Sequence, residues 1–246
     1  LVDLDGYMDG TSPPTLALRP APIQVFWLGH AGGLGLSFVD YLIADRVVVP
    51  VGDEAKYREC VVRLPDVYHC ADTPGISQIP PTRAECGLPE NGFVFCAFNN
   101  PQKIRPDTFD CWMRILGRVD GSCLWLSNPG LRPELVENLR SRAAAAGITP
   151  QRLVFAGRVP DKSVHLARHS HAGLFLDTAL SLSASTTALD ALWAGVPLLT
   201  VRGDRFAARI ASTMLHSLGL DELVCETLAD YEERAVSIAM NQEETD

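Results

Sequence analysis

The sequence lacks any run of eighteen apolar residues, so it offers no segment long enough to cross a membrane as a helix, and no membrane partner is expected. It also lacks a C-x-x-C pair. Its seven cysteines, at positions 60, 70, 86, 96, 111, 123 and 225, are odd in number and suit neither a disulfide framework nor a zinc ribbon. Cys96 and Cys123 fall inside apolar runs, so the cysteines read as small core residues of a reducing, cytoplasmic compartment. There is no surplus of basic residues. A formal charge of −9 repels nucleic-acid phosphates on average, which argues against a nucleic-acid partner but leaves room for a local basic pocket. The opening residues Leu1-Val2-Asp3-Leu4-Asp5 have neither the basic nor the apolar region of a signal peptide. There is no initiator methionine, and the chain is expected to begin inside a longer protein. Internal repeats and low-complexity tracts are absent as well.

What remains is a soluble globular composition, 47% hydrophobic and 21% charged over 246 residues, enough for one or two domains with a sizeable core. From about residue 92 onward the pattern alternates strand and helix. Apolar runs at 93–98, 123–126, 153–155, 173–176 and 198–201 read as buried parallel strands, with a shorter sixth at 223–225. Between them, Pro106-Asp107 opens a helix whose Phe109, Trp112, Met113 and Leu116 share one face at i, i+3, i+4 and i+7. Further helices are expected over 133–146, closed by Gly147, over about 161–169, over 186–194, stopped by Gly195 and Pro197, over 206–218, and from Leu228. Strict alternation predicts an α/β fold in which helices cover both faces of a parallel sheet. Strand candidates at 1–5, 23–28, 41–45 and 61–64 make residues 1–65 a partial N-terminal Rossmann-like lobe. Residues 66–91, with Pro74, Gly75, Pro80 and Pro81, read as a linker, and 92–246 as the C-terminal lobe.

Ligands of such sheets bind beyond the carboxyl ends of the strands, which directs attention to four loops. Asn100 and Lys103 follow the first strand of the C-terminal lobe, where an amide donor and an ammonium point charge suit a diphosphate; an Asn-Pro turn with a solvated lysine is the plainer reading. Ser183 to Thr187 precede a helix whose free N–H groups and dipole favour an anion, although an ordinary Ser/Thr cap has the same pattern. Asp190, one turn further along, is placed to bind ribose hydroxyls. His165 and Arg168 lie three apart and share a helix face, suited to lying against a base, or simply to a polar surface. His169 and His171 have no evident third partner, so no metal site is expected. The glycine-rich loop 29–35 carries His30, but it does not match a dinucleotide fingerprint.

Taken in order, several segments resemble protein O-GlcNAc transferases, glycosyltransferase family 41. They are Leu18 to Gly29, Asp40 to Asp45, Cys86 to Glu90, Phe98-Asn99-Asn100 with Lys103, Leu176-Asp177-Thr178, Thr186-Thr187 with Asp190, and Leu192 to Pro197. The resemblance spans almost the whole chain. It implies a GT-B fold and metal-independent transfer from UDP-GlcNAc to Ser/Thr hydroxyls of proteins, with no cofactor and with tetratricopeptide repeats in the longer protein. By that resemblance Lys103 binds the diphosphate and stabilises the departing UDP, Asn100 contacts phosphate, and Thr186 and Thr187 hold the diphosphate. Asp190 binds ribose, while His165 and Arg168, with Lys162 alongside, contact uracil. Three positions depart from the family pattern: Ser185 stands where histidine is usual, Gln102 where tyrosine is usual, and residues 30–35 replace the usual Tyr-Pro-Gly-Thr-Ser-Gly loop. They keep two alternatives open, a SPINDLY-like transferase using GDP-fucose and a nucleotide-binding module without turnover.

Overall fold

A computed structural model describes residues 1–8, 13–127, 133–178, 180 and 182–241. The chain opens with β1 (Val2–Asp3), a short helix α1 (Pro13–Ala17), β2 (Val25–Phe26), β3 (Tyr41–Ala44) and β4 (Cys60–Arg63). These four strands form a parallel sheet in the order β1-β2-β3-β4. It covers a small core of Leu16, Phe26, Leu34, Val39 and Leu42.

The second unit follows as β5 (Val94–Ala97), α2 (Pro106–Arg118), β6 (Cys123–Ser127), α3 (Pro133–Ala145), β7 (Leu153–Ala156), α4 (Lys162–Ala167) and β8 (Leu174–Leu176). After these come α5 (Thr186–Trp193), β9 (Leu198–Val201), α6 (Ile210–Ser217), β10 (Val224–Cys225) and α7 (Leu228–Met240). All six strands are parallel, in the order β10-β9-β8-β5-β6-β7. Every residue of β5, β8 and β9 is buried, as continuous apolar runs demand. On α2, the face with Phe109, Trp112, Met113 and Leu116 is buried in full, each side chain contributing about 1.5–3 kcal/mol. That face is finished by α7, whose Tyr231 hydroxyl accepts the Trp112 indole N–H at 3.3 Å.

The helix expected over 206–218 is divided. Residues 206–208 form a 3-10 turn, and α6 proper begins at Ile210. The expected strand over 1–5 shortens to Val2–Asp3. Gly147 and Gly195 end α3 and α5 with φ of +79° and +82°, the left-handed conformation that a side chain disfavours.

Residues 66–91 run between the two sheets as an ordered strap. Tyr68 is buried and packs edge-on against Phe206, with ring centroids 5.0 Å apart. Its carbonyl accepts the Trp27 indole N–H at 2.8 Å, and its N–H donates to Asp45 at 2.9 Å. Asp45, at the end of β3, also accepts the Thr213 hydroxyl of α6 at 2.8 Å. Ala44, Val48, Val49 and Tyr68 therefore join the same apolar core as the six-stranded sheet.

Candidate active site

From β5 the chain winds outward through β6 and β7, then returns to the other side of β5 as β8. The connections leaving β5 and β8 diverge, and the crevice between their carboxyl ends is where an open α/β sheet takes its ligand. Asn99 to Lys103 leave β5 there, Asp177 and Thr178 leave β8, and Leu182 to Ser185 lead into α5. A cavity of about 1000 Å³ opens over this point. Lys103, Lys162, Ser185, Thr186 and Asp190 wall it from the C-terminal lobe, Leu28 to Ala31 from the N-terminal lobe, and Val67 to Pro74 from the strap.

Lys103 ends a 3-10 turn that Asn100 caps, its side-chain oxygen accepting the Gln102 N–H at 3.0 Å. The Lys103 ammonium donates to the Ser183 carbonyl at 3.1 Å. Burial pulls its pKa below the ordinary lysine value, and the nearby Asp177 carboxylate works in the opposite direction. Asp177 is fully buried. Its carboxylate accepts the Ala184 N–H at 2.6 Å, the Thr178 N–H at 2.7 Å and the Thr200 hydroxyl at 2.6 Å. Burial raises its pKa against the pull of those hydrogen bonds.

The helix expected from 186 begins at Thr186, with Ser185 in the cap position and no side-chain capping bond. At the helix start the Ala188 and Leu189 N–H groups donate to the Ser185 carbonyl, and among the described residues no side chain caps the N–H groups of Thr186 and Thr187. Thr186 lines the cavity, whereas Thr187 turns its hydroxyl inward to donate to Asn99 at 2.7 Å. What Thr187 presents at the helix start is its backbone.

Asp190 lies one turn along α5. It accepts the Lys162 ammonium at 2.6 Å on both oxygens, and His165 Nε2 stands 3.5 Å away. Burial works against its charge, but the His165 and Lys162 hydrogen bonds prevail and hold its pKa below the ordinary value. Lys162 also borders a smaller pocket of about 240 Å³, lined by Ser127, Ala156 to Pro160, His165 and Arg168. Asp161 caps α4 through bonds from Ser163 N–H and Val164 N–H, which aims Lys162 and His165 at these two spaces. Arg168 lies past the end of α4, in a 3-10 turn, and is buried. Its guanidinium sits 4.5 Å from the Phe98 ring centroid and donates to the Gly157 carbonyl at 3.0 Å. It forms the floor of the small pocket more than an exposed arm.

The model of glycosyl transferase family 41 matches residues 1–77 and 74–246, in effect the whole chain. The chain belongs to glycosyl transferase family 41. Among similar members, the Arabidopsis thaliana protein named "Probable UDP-N-acetylglucosamine--peptide N-acetylglucosaminyltransferase SEC" is 37% identical over 98% of this chain and 25% of its own length. A tomato (Solanum lycopersicum) relative with the same enzyme name, SPINDLY, is 32% identical over 97% of this chain and 26% of its own. The chain thus spans about a quarter of the length of these curated relatives. Among solved structures, a mutant O-GlcNAc transferase of Thermobaculum terrenum superposes with a TM-score of 0.87 at 32% identity, covering 100% of this chain and 46% of that one. The two parallel sheets with the cavity between them are the expected GT-B architecture.

In this family 41 chain, the sequence-predicted residues fall into three groups. Lys103, Lys162, Ser185, Thr186 and Asp190 share the large cavity; His165 and Arg168, again with Lys162, share the small pocket; Asn100 and Thr187 flank the crevice without lining either. His30 also reaches the large cavity, packed edge-on against Tyr7 with ring centroids 5.3 Å apart. His169 and His171 turn to different partners. The first is buried with Nδ1 3.0 Å from the His165 carbonyl oxygen, and the second has Nε2 2.6 Å from the Pro81 carbonyl oxygen. Asn99, Asp177 and Ser183 lie in segments the sequence singled out, but their role as supports for Thr187, the Ala184 backbone and Lys103 was not foreseen. A buried polar residue at the end of an apolar strand was the available signal for Asn99 and Asp177, since such a group requires a partner.

Proposed function

We propose that this chain is the donor-binding part of an inverting transferase that moves N-acetylglucosamine from UDP-GlcNAc to Ser/Thr hydroxyls of proteins. The reading rests on one juxtaposition: Lys103 and the uncapped start of α5 border the same cavity at the switch point of the sheet. The names of the similar proteins support the same donor and acceptor.

The diphosphate lies against the first turn of α5, where Thr186 and the N–H groups meet it, with the Lys103 ammonium beside it. Asp190 and Lys162 accept and donate to the ribose, exchanging part of their mutual ion pair for sugar hydroxyls. His165 and the Arg168 floor receive the base in the small pocket, and Asn100 and Ser185 border the phosphates and the sugar. In the reaction, the bond between the anomeric carbon and the diphosphate oxygen breaks as a protein hydroxyl attacks from the opposite face and gives up its proton to solvent. The electron pair of the broken bond stays on UDP. A fixed cation and a helix N-terminus stabilise that growing charge, so no metal is required. The protein acceptor approaches from the N-terminal lobe and strap side, near His30.

The Ser185 departure keeps a second reading open, in which the donor carries a different base and sugar, as in GDP-fucose. Calorimetric titration of UDP and GDP into the purified chain decides between them. UDP binding supports the first reading, and a preference for GDP supports the second. Absence of binding by either removes the nucleotide-sugar reading. Transfer from UDP-GlcNAc to peptide is then assayed with the full-length protein.

A further inference from the structure

We infer that Ser183 is the positioning residue for Lys103, and that the hold reaches Ser183 from the N-terminal lobe through α6. The inference rests on the role given to Lys103 above. Ser183 is fully buried and does not line the large cavity. Its carbonyl accepts the Lys103 ammonium at 3.1 Å, across 80 residues of chain.

A backbone carbonyl directs a flexible lysine only if the carbonyl itself is fixed, and every polar group of Ser183 contributes to fixing it. Its N–H donates to the Ala207 carbonyl at 2.9 Å. Its hydroxyl donates to that same carbonyl at 3.1 Å and accepts the Ala211 N–H, the first turn of α6, at 3.2 Å. The next residue, Ala184, donates its N–H to the buried Asp177 carboxylate at 2.6 Å. The segment is therefore pinned on one side to the 206–208 turn and the start of α6, and on the other to the end of β8.

The α6 helix is in turn held by the other lobe. Thr213 donates its hydroxyl to Asp45 at 2.8 Å, and Arg209 stands 3.6 Å from Asp53. A continuous path runs from β3 through Asp45, Thr213, Ala211 and Ser183 to the Lys103 ammonium. Lys103 sits in the C-terminal lobe, but its height in the cavity is set by how the N-terminal lobe seats α6.

The Ser183 hydroxyl does not line the cavity, and Ala184 is anchored separately to Asp177, so the inference requires that its effect on nucleotide binding pass through Lys103 and not through the start of α5. A double-mutant cycle isolates that dependence. UDP is titrated by calorimetry into the wild-type chain, Ser183→Ala, Lys103→Ala and the double variant, with thermal melting of each. Ser183→Ala is expected to bind UDP about fivefold more weakly than wild type, the effect of one neutral hydrogen bond. On the Lys103→Ala background the same change is expected to cause no further loss. Ser183→Cys keeps a weak donor at similar size and serves where the alanine variant does not fold; its loss is expected to be intermediate and equally dependent on Lys103. Equal losses on both backgrounds, or full affinity in the folded Ser183 variants, overturn the inference while leaving the donor-site reading intact. A wild-type chain that binds neither UDP nor GDP overturns the reading and the inference with it.

Discussion

Replacing Lys103 with alanine tests the donor site most directly. The ammonium is partly buried, held at 3.1 Å by the Ser183 carbonyl, and faces the start of α5 across the cavity. Against a diphosphate it makes a charge-assisted hydrogen bond, worth about 1.5–3 kcal/mol. At about 1.4 kcal/mol per factor of ten, Lys103→Ala weakens UDP binding about 10- to 150-fold. Burial adds a pH signature. In the free protein the Lys103 pKa lies below its ordinary 10.5, so its charge is lost before binding, and UDP affinity falls, as pH rises through a value lower than a solvated lysine would show. Lys103→Arg keeps its charge at any accessible pH and moves that alkaline limb out of range. Calorimetric titrations of the three proteins between neutral and alkaline pH measure both effects. An alanine variant that binds UDP as tightly as wild type, or an alkaline limb that survives in it, refutes the placement of the diphosphate beside Lys103.

Asp190→Asn removes the charge that holds Lys162 at 2.6 Å and is expected to weaken UDP binding about tenfold, with little change in melting temperature, by calorimetry and thermal melting. Asp45 accepts bonds from the Val47, Val48 and Tyr68 N–H groups and the Thr213 hydroxyl; Asp45→Ala strands those donors and is expected to destabilise the chain by about 3 kcal/mol in urea unfolding. Burial, followed by the proximity of His165, pushes the His169 pKa down from 6.5 to about 4. The unfolded chain then takes up the proton first. The stability His169 contributes is full above pH 6.5 and is lost as pH falls toward 4, about 3 kcal/mol in all. A His169→Phe variant should show a flatter acid limb in urea unfolding followed across that window, and an unchanged limb would contradict a buried neutral imidazole.

The second sheet was legible in the sequence because its strands are buried on both faces. Val94 to Ala97 and Leu198 to Val201 are uninterrupted apolar runs, and the helices between them end in glycine signals at 147 and 195. The first sheet was harder to delimit. Val2–Asp3 and Val25–Phe26 pair over two residues each, too few for period-two patterning to fix their ends. The Phe206 to Leu218 stretch reads as one helix, and the sequence pattern does not register the break at Arg209, whose side chain donates to the Gly203 carbonyl at 2.8 Å. In the site, residue types and loop positions pointed to Lys103, Thr186 and Asp190, because helix starts and strand ends carry local signals. The inward turn of Thr187 to Asn99, 88 residues away, and the burial of Arg168 against Phe98 are set by tertiary neighbours, which no local pattern encodes.

The shared core has a thermodynamic consequence. Val48, Val49 and Tyr68 are packed into the same apolar mass as β5, β8 and β9, and the Asp45–Thr213 bond closes over the seam. Neither sheet can melt without exposing apolar surface of the other, so the two lose structure as one cooperative unit. Calorimetry of the chain is expected to show a single heat-absorption peak whose van't Hoff and calorimetric enthalpies agree. A cleft of this kind is carved into one folding unit, and the force that keeps its walls apart is the same force that keeps the protein folded.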